Sequence, residues 1–316
     1  MLASMAELFL EEFEVRFMEK ILMTGHLGLV GRYLKPLLES RGYLVQGFDL
    51  ADGSGDICQP ELIKQVLAGV KGVIHLAAVS RVIWGERNPE LCWHTNAIAS
   101  EQLLKAACEQ ADKPWVLVAS SREVYGEADT LPVRDSMLIR PVNIYGRSKA
   151  YMEQKTLAAR EAGLNTAVIR LANVYGCTKD HKDRVLPAFC FNAVQQSDLR
   201  VDGRDHLFDF THVSDTVKGL LLVVEQLEHN ESNLPPTHFL PGIGTTLGEA
   251  AEMAIKLAGS NSSIIEAPSR SYDVSRFIGD PTQARELFGW QASITPKQGI
   301  RFLVEAFQNQ LEELPA

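Results

Sequence analysis

Short apolar runs alternate with segments of helical spacing along the first half of the chain. "KILMTG" (20–25) is a compact apolar run ended by glycine, the pattern of a buried strand. "LVGRYLKPLLESRG" (29–42) carries helical spacing, with Gly42 as its stop and a bend predicted at Pro36, which removes one backbone bond. "YLVQGFDL" (43–50) predicts a strand, "ELIKQVLAG" (61–69) a helix and "GVIHLAA" (72–78) a third strand. "PELCWHTNAIASEQLLKAACEQ" (89–110) predicts one long helix and "PWVLVAS" (114–120) a strand. "NIYGRSKAYMEQKTLAAREAG" (143–163) predicts a further helix, and "NTAVIRLANV" (165–174) the strand after it. Such alternation specifies an α/β fold, a doubly wound parallel sheet with helices on both faces, whose ligands bind beyond the carboxyl ends of the strands. After Val174 the alternation fades into loops rich in Pro, Gly and charge, which predicts a smaller, discontinuous C-terminal domain.

Composition narrows the function classes. The 316 residues are 46% hydrophobic and 22% charged, as in a soluble globular protein. A net charge of −9 argues against nucleic acid as a partner, because phosphate neutralisation needs a basic face. No apolar run is long enough to span a bilayer. The five cysteines are odd in number and form no CxxC pair, which predicts reduced thiols and a cytoplasmic setting. The eight histidines show no zinc-ligand spacing, so no metal is expected. Residues 1–17 read as an N-terminal extension. Glutamates interrupt its apolar residues, unlike an export signal, and it is either a short amphipathic helix or a consequence of start-site choice upstream of Met18.

Two constellations carry chemistry. In "TGHLGLVG" (24–31), Gly25, Gly28 and Gly31 stand between a strand and a helix. The first makes a tight turn, the second admits a pyrophosphate and the third lets helix and strand pack closely. The helix N-terminus then faces the phosphates with free N–H groups. A purely structural glycine turn is the alternative. Asp49 closes the next strand, where an acid binds ribose hydroxyls and repels a 2′-phosphate. No arginine follows in "DLADG", which favours NAD over NADP. Asp56 of "GDI" is either an adenine ligand or a solvated loop acid. In "YGRSK" (145–149), Tyr145 and Lys149 share one helix face. A nearby ammonium and a positive nicotinamide ring would bring the phenol, ordinarily near pKa ~10, within reach of a base role. Ser121, at a neighbouring strand end, would hold the same substrate oxygen. The alternative is a solvated helix face.

The chain resembles the extended short-chain dehydrogenase/reductase family, in its nucleotide-sugar epimerase/dehydratase branch. The likeness rests on "TGHLGLVG", "GDI", "HLAA", "TN" at 95–96, "SSREVYG", "YGRSK", "RLANVYG", "DFTHVSD" and "GDPTQARELFGW", in that order. The resemblance implies a Rossmann domain over 18–176 plus 209–242 and a substrate-binding domain over 177–208 plus 243–316. It implies bound NAD, with Gly25, Leu27, Gly28, Gly31, Asp49, Asp56, Ile57, Ala77, Tyr145 and Lys149 at the cofactor. The family triad falls on Ser121, Tyr145 and Lys149, and a phosphate-side asparagine on Asn173. Asn96 matches an asparagine beside the catalytic helix and reads as structural. The activity implied is transient oxidation of a nucleotide-sugar hydroxyl at C4, with Tyr145 as base. Paired helices, 89–110 and 143–163, would form a homodimer. Open alternatives are a dehydrogenase or reductase on a non-nucleotide substrate, and a dinucleotide-binding protein without turnover.

The departures from the family pattern are local. Cys177 stands where many members have proline. Phe208 precedes Asp209 where many have an arginine that meets the nucleotide, and Arg204 or Arg270 would compensate unless both are surface arginines. Sugar 4,6-dehydratases and the UDP-glucuronate decarboxylase group resemble this chain in carrying Ser/Thr-x-Glu, which makes Glu123 a candidate for a second proton transfer. A dehydratase has an aspartic acid at position 122, whereas arginine is no proton donor. Arg122 with Arg81 would instead recognise a carboxylate. The alternative is that Arg122 and Glu123 form an exposed ion pair worth under about 1 kcal/mol.

Overall fold

In the computed structural model, which describes residues 19–181 and 183–312, the strands β1 (Lys20–Thr24), β2 (Leu44–Phe48), β3 (Gly72–His75), β4 (Trp115–Ser121) and β5 (Thr166–Leu171) form one parallel sheet in the order β2-β1-β3-β4-β5. The chain leaves β2, passes behind β1 and enters β3. The switch in strand order therefore falls between β1 and β3, where an open α/β sheet parts to leave a crevice. Residues 1–18, the predicted extension among them, lie outside the described residues.

Both faces of the sheet are covered. Ile21 and Met23 of β1 pack with Leu34 and Leu38 of α1 (Leu29–Glu39). Leu22, on the opposite face, joins Ile63 of α2 (Pro60–Val66). A strand buried on both sides has no polar alternation, which is why β1 reads as a continuous apolar run. α1 continues through Pro36 to Glu39, so the proline does not end the helix. A short helix absent from the sequence reading, α3 (Val82–Arg87), follows β3. The segment expected to be one long helix is α4 (Pro89–Trp93), a π-helical turn (His94–Ala99) and α5 (Ser100–Cys108). The wide turn has a visible use. Buried Asn96 accepts from Val79 N (2.8 Å) and donates to Val79 O (3.0 Å) and Ser148 Oγ (3.1 Å). It thereby ties the loop after β3 to α6 (Ile144–Glu161).

Beyond β5 come β6 (Val174–Tyr175), α7 (Val185–Val194), β7 (Leu199–Asp202), β8 (Leu207–Asp209), β9 (Thr211–His212) and α8 (Val213–Glu228). Then follow β10 (Gly244–Thr246), α9 (Leu247–Ala258), β11 (Ile264–Ala267), β12 (Arg276–Phe277), α10 (Thr282–Phe288) and α11 (Pro296–Glu312). α8 returns to the large sheet, where Val217, Leu220 and Val224 share a core with β1 and α1. α7, α9 and α11 build a separate core around Phe189, Ala251 and Leu303. Two small sheets, β10-β8-β12 and β11-β7, contribute Leu199, Val201, Phe208 and Phe277 to this core. The β8–β12 pairing sets Phe277 directly beside Phe208.

Candidate active site

A cleft of about 830 Å³ opens beyond the carboxyl ends of the parallel strands. Its size suits a small-molecule ligand. One end is built of backbone. Gly25 has φ +72°, and a Cβ there would stand 2.6 Å from Ala77 N, so the turn after β1 excludes any side chain. Gly28 caps α1 without a side-chain hydrogen bond, which leaves the first N–H groups of the helix free for an anion. Asp49 is already set in place: Oδ2 accepts from Leu27 N (3.0 Å) and Oδ1 from Ala51 N (2.9 Å). Each oxygen keeps acceptor capacity. Asp56, held by Cys58 N (2.8 Å), lines the same end with Leu27, Gly31, Ile57 and Ala77. The sequence reading overlooked Arg32, one residue past the glycine motif. It also lines this end and donates to Leu27 O (2.5 Å). A glycine turn, an uncapped helix and a strand-end carboxylate in this arrangement fit a dinucleotide.

The middle of the cleft holds the hydroxyls. β4 ends at Ser121, whose Oγ accepts from Glu123 N (3.2 Å) and caps a tight turn over Arg122–Val124. Asn143 caps α6 by accepting from Gly146 N (2.8 Å). Gly146 has no room for a side chain, since a Cβ would meet Glu123 O at 2.6 Å. Tyr145 and Ser121 line the same cleft, and the serine acts on the phenol in the lowering direction. Lys149, one helical turn on, is buried and donates to Ala119 O (2.8 Å). The chain by itself does not lower the phenol. Burial pushes Tyr145 up to about 12, the Ser121 hydrogen bond offsetting only part of it. Burial also pulls Lys149 down to about 8, so the ammonium is itself destabilised.

The other end is ionic. Arg122 and Glu123 are buried, not exposed as one reading held, and pair at 2.8 Å (Nη2–Oε1). Glu123 Oε2 accepts from Asn143 Nδ2 (2.8 Å). Both oxygens are thus engaged. The Arg122 guanidinium lies over Phe208 (4.6 Å) and Phe277 (5.7 Å). Asn173, at φ +29° in the turn before β6, lines the cleft and donates to Asp209 O (3.2 Å). Arg270 lines it too, paired with Asp273 (3.0 Å) and Asp202 (3.8 Å). Burial pushes the Asp273 carboxyl up, and Arg270 partly counters it.

Two expectations do not hold. Arg204 lies outside the cleft, because Glu252 (2.5 Å) and Glu266 (2.9 Å) hold it on the surface of the small domain. Arg81 lines the cleft, but its guanidinium is taken by the carboxylate and backbone carbonyl of Asp183 and lies over Trp84 (5.6 Å). A joint Arg81–Arg122 carboxylate site is therefore not formed. Asp273, His206, Phe277 and Arg184 went unread because each lies in a loop or short strand without periodicity. Among the described residues no cluster of His, Cys, Asp and Glu could hold a metal, and no helix is long and apolar enough to cross a membrane.

Strand order, crevice and turn chemistry define a doubly wound dinucleotide-binding enzyme fold. Residues 21–236 match the NAD dependent epimerase/dehydratase family, and the chain belongs to it. A UDP-glucose 4-epimerase of Streptomyces lividans is 27% identical over 304 residues, covering 87% of this chain and 92% of that one. The UDP-glucuronic acid decarboxylase 2 of Arabidopsis thaliana is 26% identical over 316 residues, 92% of this chain and 69% of that one. Among solved structures, the UDP-glucose 4-epimerase of Thermotoga maritima with UDP-glucose superposes with a TM-score of 0.86 at 26% identity, covering 92% of this chain and 99% of that one. Epimerase and decarboxylase stand at nearly equal distance, so the likeness singles out no reaction.

Proposed function

We propose that the protein is an NAD-dependent enzyme that transiently oxidises a nucleotide-sugar hydroxyl, at C4, with Tyr145 as base. One observation carries this reading: Ser121 and Tyr145 line a single cleft, near enough for the serine to act on the phenol, with Lys149 one turn on. Ser121 holds the substrate oxygen, and Tyr145 takes its proton as the carbon beneath loses hydride. NAD supplies the hydride acceptor, the later hydride donor and a positive charge. Until the phenol is lowered from about 12 it is a hydrogen-bond donor at neutral pH, which suits the return step, in which Tyr145 gives the proton back to the oxygen. Asn173 and Arg270, which line the cleft, would meet the nucleotide half of the substrate. In the test, purified protein with NAD is offered UDP-, dTDP- and GDP-sugars, and products are followed by mass spectrometry and NMR. An altered sugar from one nucleotide class is expected. Turnover only of a free sugar or a non-sugar alcohol, with exchange of cofactor, would replace this reading by a simple dehydrogenase.

A homodimer through α4–α5 and α6 belongs to the same proposal. Exposed Leu91 and Leu157 on these helices, and the Trp93–Tyr151 ring contact (5.3 Å) between them, support it. Sedimentation at micromolar concentration is expected to give twice the monomer mass; a monomer alone would refute it.

A further inference from the structure

Arg122 is held more tightly than an ordinary cleft arginine. Its residue is 8% exposed. Glu123 fixes one edge of the guanidinium at 2.8 Å, and the rings of Phe208 and Phe277 lie against it. Glu123 is in turn fixed by Asn143, the residue that caps the helix bearing Tyr145. Yet Nη1 is buried and has no hydrogen-bond partner among the described residues. Leaving a buried charged donor unmet is costly, so the site is organised around an acceptor still to come.

Of the other cleft arginines, Arg81 is paired with Asp183, Arg184 with Asp180 (3.2 Å), and Arg270 with Asp273 and Asp202, and Nε of Arg184 and of Arg270 is likewise without a hydrogen-bond partner among the described residues. In Arg122 the unmet nitrogen is the terminal Nη1, and its carboxylate is shared with Asn143. It directly follows Ser121, which holds the sugar oxygen in the reading above, so an acceptor on the sugar lies in its neighbourhood. A carboxylate is the acceptor that gains most there, because charge-assisted hydrogen bonds are about twice as strong as neutral ones. The nearby Asp273 carboxyl is itself paired with Arg270 (3.0 Å).

We propose that Arg122 binds a carboxylate on the substrate sugar, so that the protein acts on a nucleotide-linked uronic acid, and that Glu123 is the positioning residue that aims Arg122. This rests on the nucleotide-sugar reading above. The test compares matched pairs on the NAD-loaded protein: UDP-glucose with UDP-glucuronic acid, UDP-galactose with UDP-galacturonic acid, and GDP-mannose with GDP-mannuronic acid. The uronate of one pair is expected to have the higher kcat/KM by roughly ten- to a hundredfold. In Arg122→Met that ratio falls to near one. Because this substitution strands buried Glu123, the double variant Arg122→Met/Glu123→Gln repeats the measurement without an unpaired charge. Glu123→Gln alone is expected to raise KM for the uronate, with no build-up of keto-sugar. Equal or better use of the neutral sugar by the wild type overturns the inference and leaves the nucleotide-sugar reading standing. Keto-sugar accumulation at unchanged KM in Glu123→Gln overturns the positioning role. Failure of every pair to bind overturns the nucleotide-sugar reading and this inference with it.

Discussion

The two ends of the cleft are made of different material. At the cofactor end the contacts are backbone: a glycine turn, the open N-terminus of α1 and a strand-end aspartate braced by Leu27 N and Ala51 N. At the substrate end they are charged side chains that hold one another, Arg122 with Glu123 and Arg270 with Asp273 and Asp202. A backbone site needs only a short local motif. A side-chain site draws residues from several elements and can be rebuilt residue by residue without disturbing the sheet. The difference accounts for a glycine turn legible in one short stretch beside an ionic end assembled from distant segments.

The boundary between the ends runs through Tyr145, and its loss should have the largest effect. Tyr145→Phe keeps the ring and its packing, so NAD affinity is expected to stay near wild type while turnover drops about 10²- to 10⁴-fold. Single-turnover reduction of bound NAD reads this out, and a normal rate would move the chemistry elsewhere in the cleft. Lys149 gives a pH signature. Its folded value of about 8 lies below the ordinary 10.5, so the unfolded chain binds more protons between these values and stability rises with pH across that window. Relative to Lys149→Met, the NAD-free wild type should gain about 2 kcal/mol from pH ~8 to ~10 in denaturant melts. A flat difference would mean that the ammonium is solvated.

Asp49→Ala tests the backbone end by removing both the ribose acceptor and the charge opposed to a 2′-phosphate. Wild type should bind NAD more tightly than NADP, and the variant should narrow that gap about tenfold in titrations. Tighter NADP binding by wild type would point to Arg32 as a 2′-phosphate contact. Arg204→Ala should do least. Its two ion pairs are partly exposed, so less than about 1 kcal/mol of stability is expected to go, with substrate KM unchanged. A shifted KM would extend the ionic end of the cleft to the surface of the small domain.

Legibility followed the same division. β1, the turn at Gly25 and the Tyr145–Lys149 face are set by residues within a few positions of one another, and period and glycine spacing expose them. The π-turn at His94–Ala99 was invisible because its reason, the Asn96 contacts to Val79 and Ser148, lies in other segments. Arg204 and Arg270 looked alike in the chain, yet one is drawn to surface glutamates and the other into the cleft.

By itself, then, the sequence determined the doubly wound sheet, the dinucleotide turn and the shared helix face of Tyr145 and Lys149, since each depends on local backbone conformation and on the burial of short apolar runs. Tertiary structure alone decided that Arg122 and Glu123 are buried and not surface ions. The β8–β12 register places Phe208 beside Phe277 against the guanidinium, and Asn143 reaches Glu123 from the start of α6. The strength of an ion pair depends on the solvent taken from it, and that solvent is removed by residues far away in the chain.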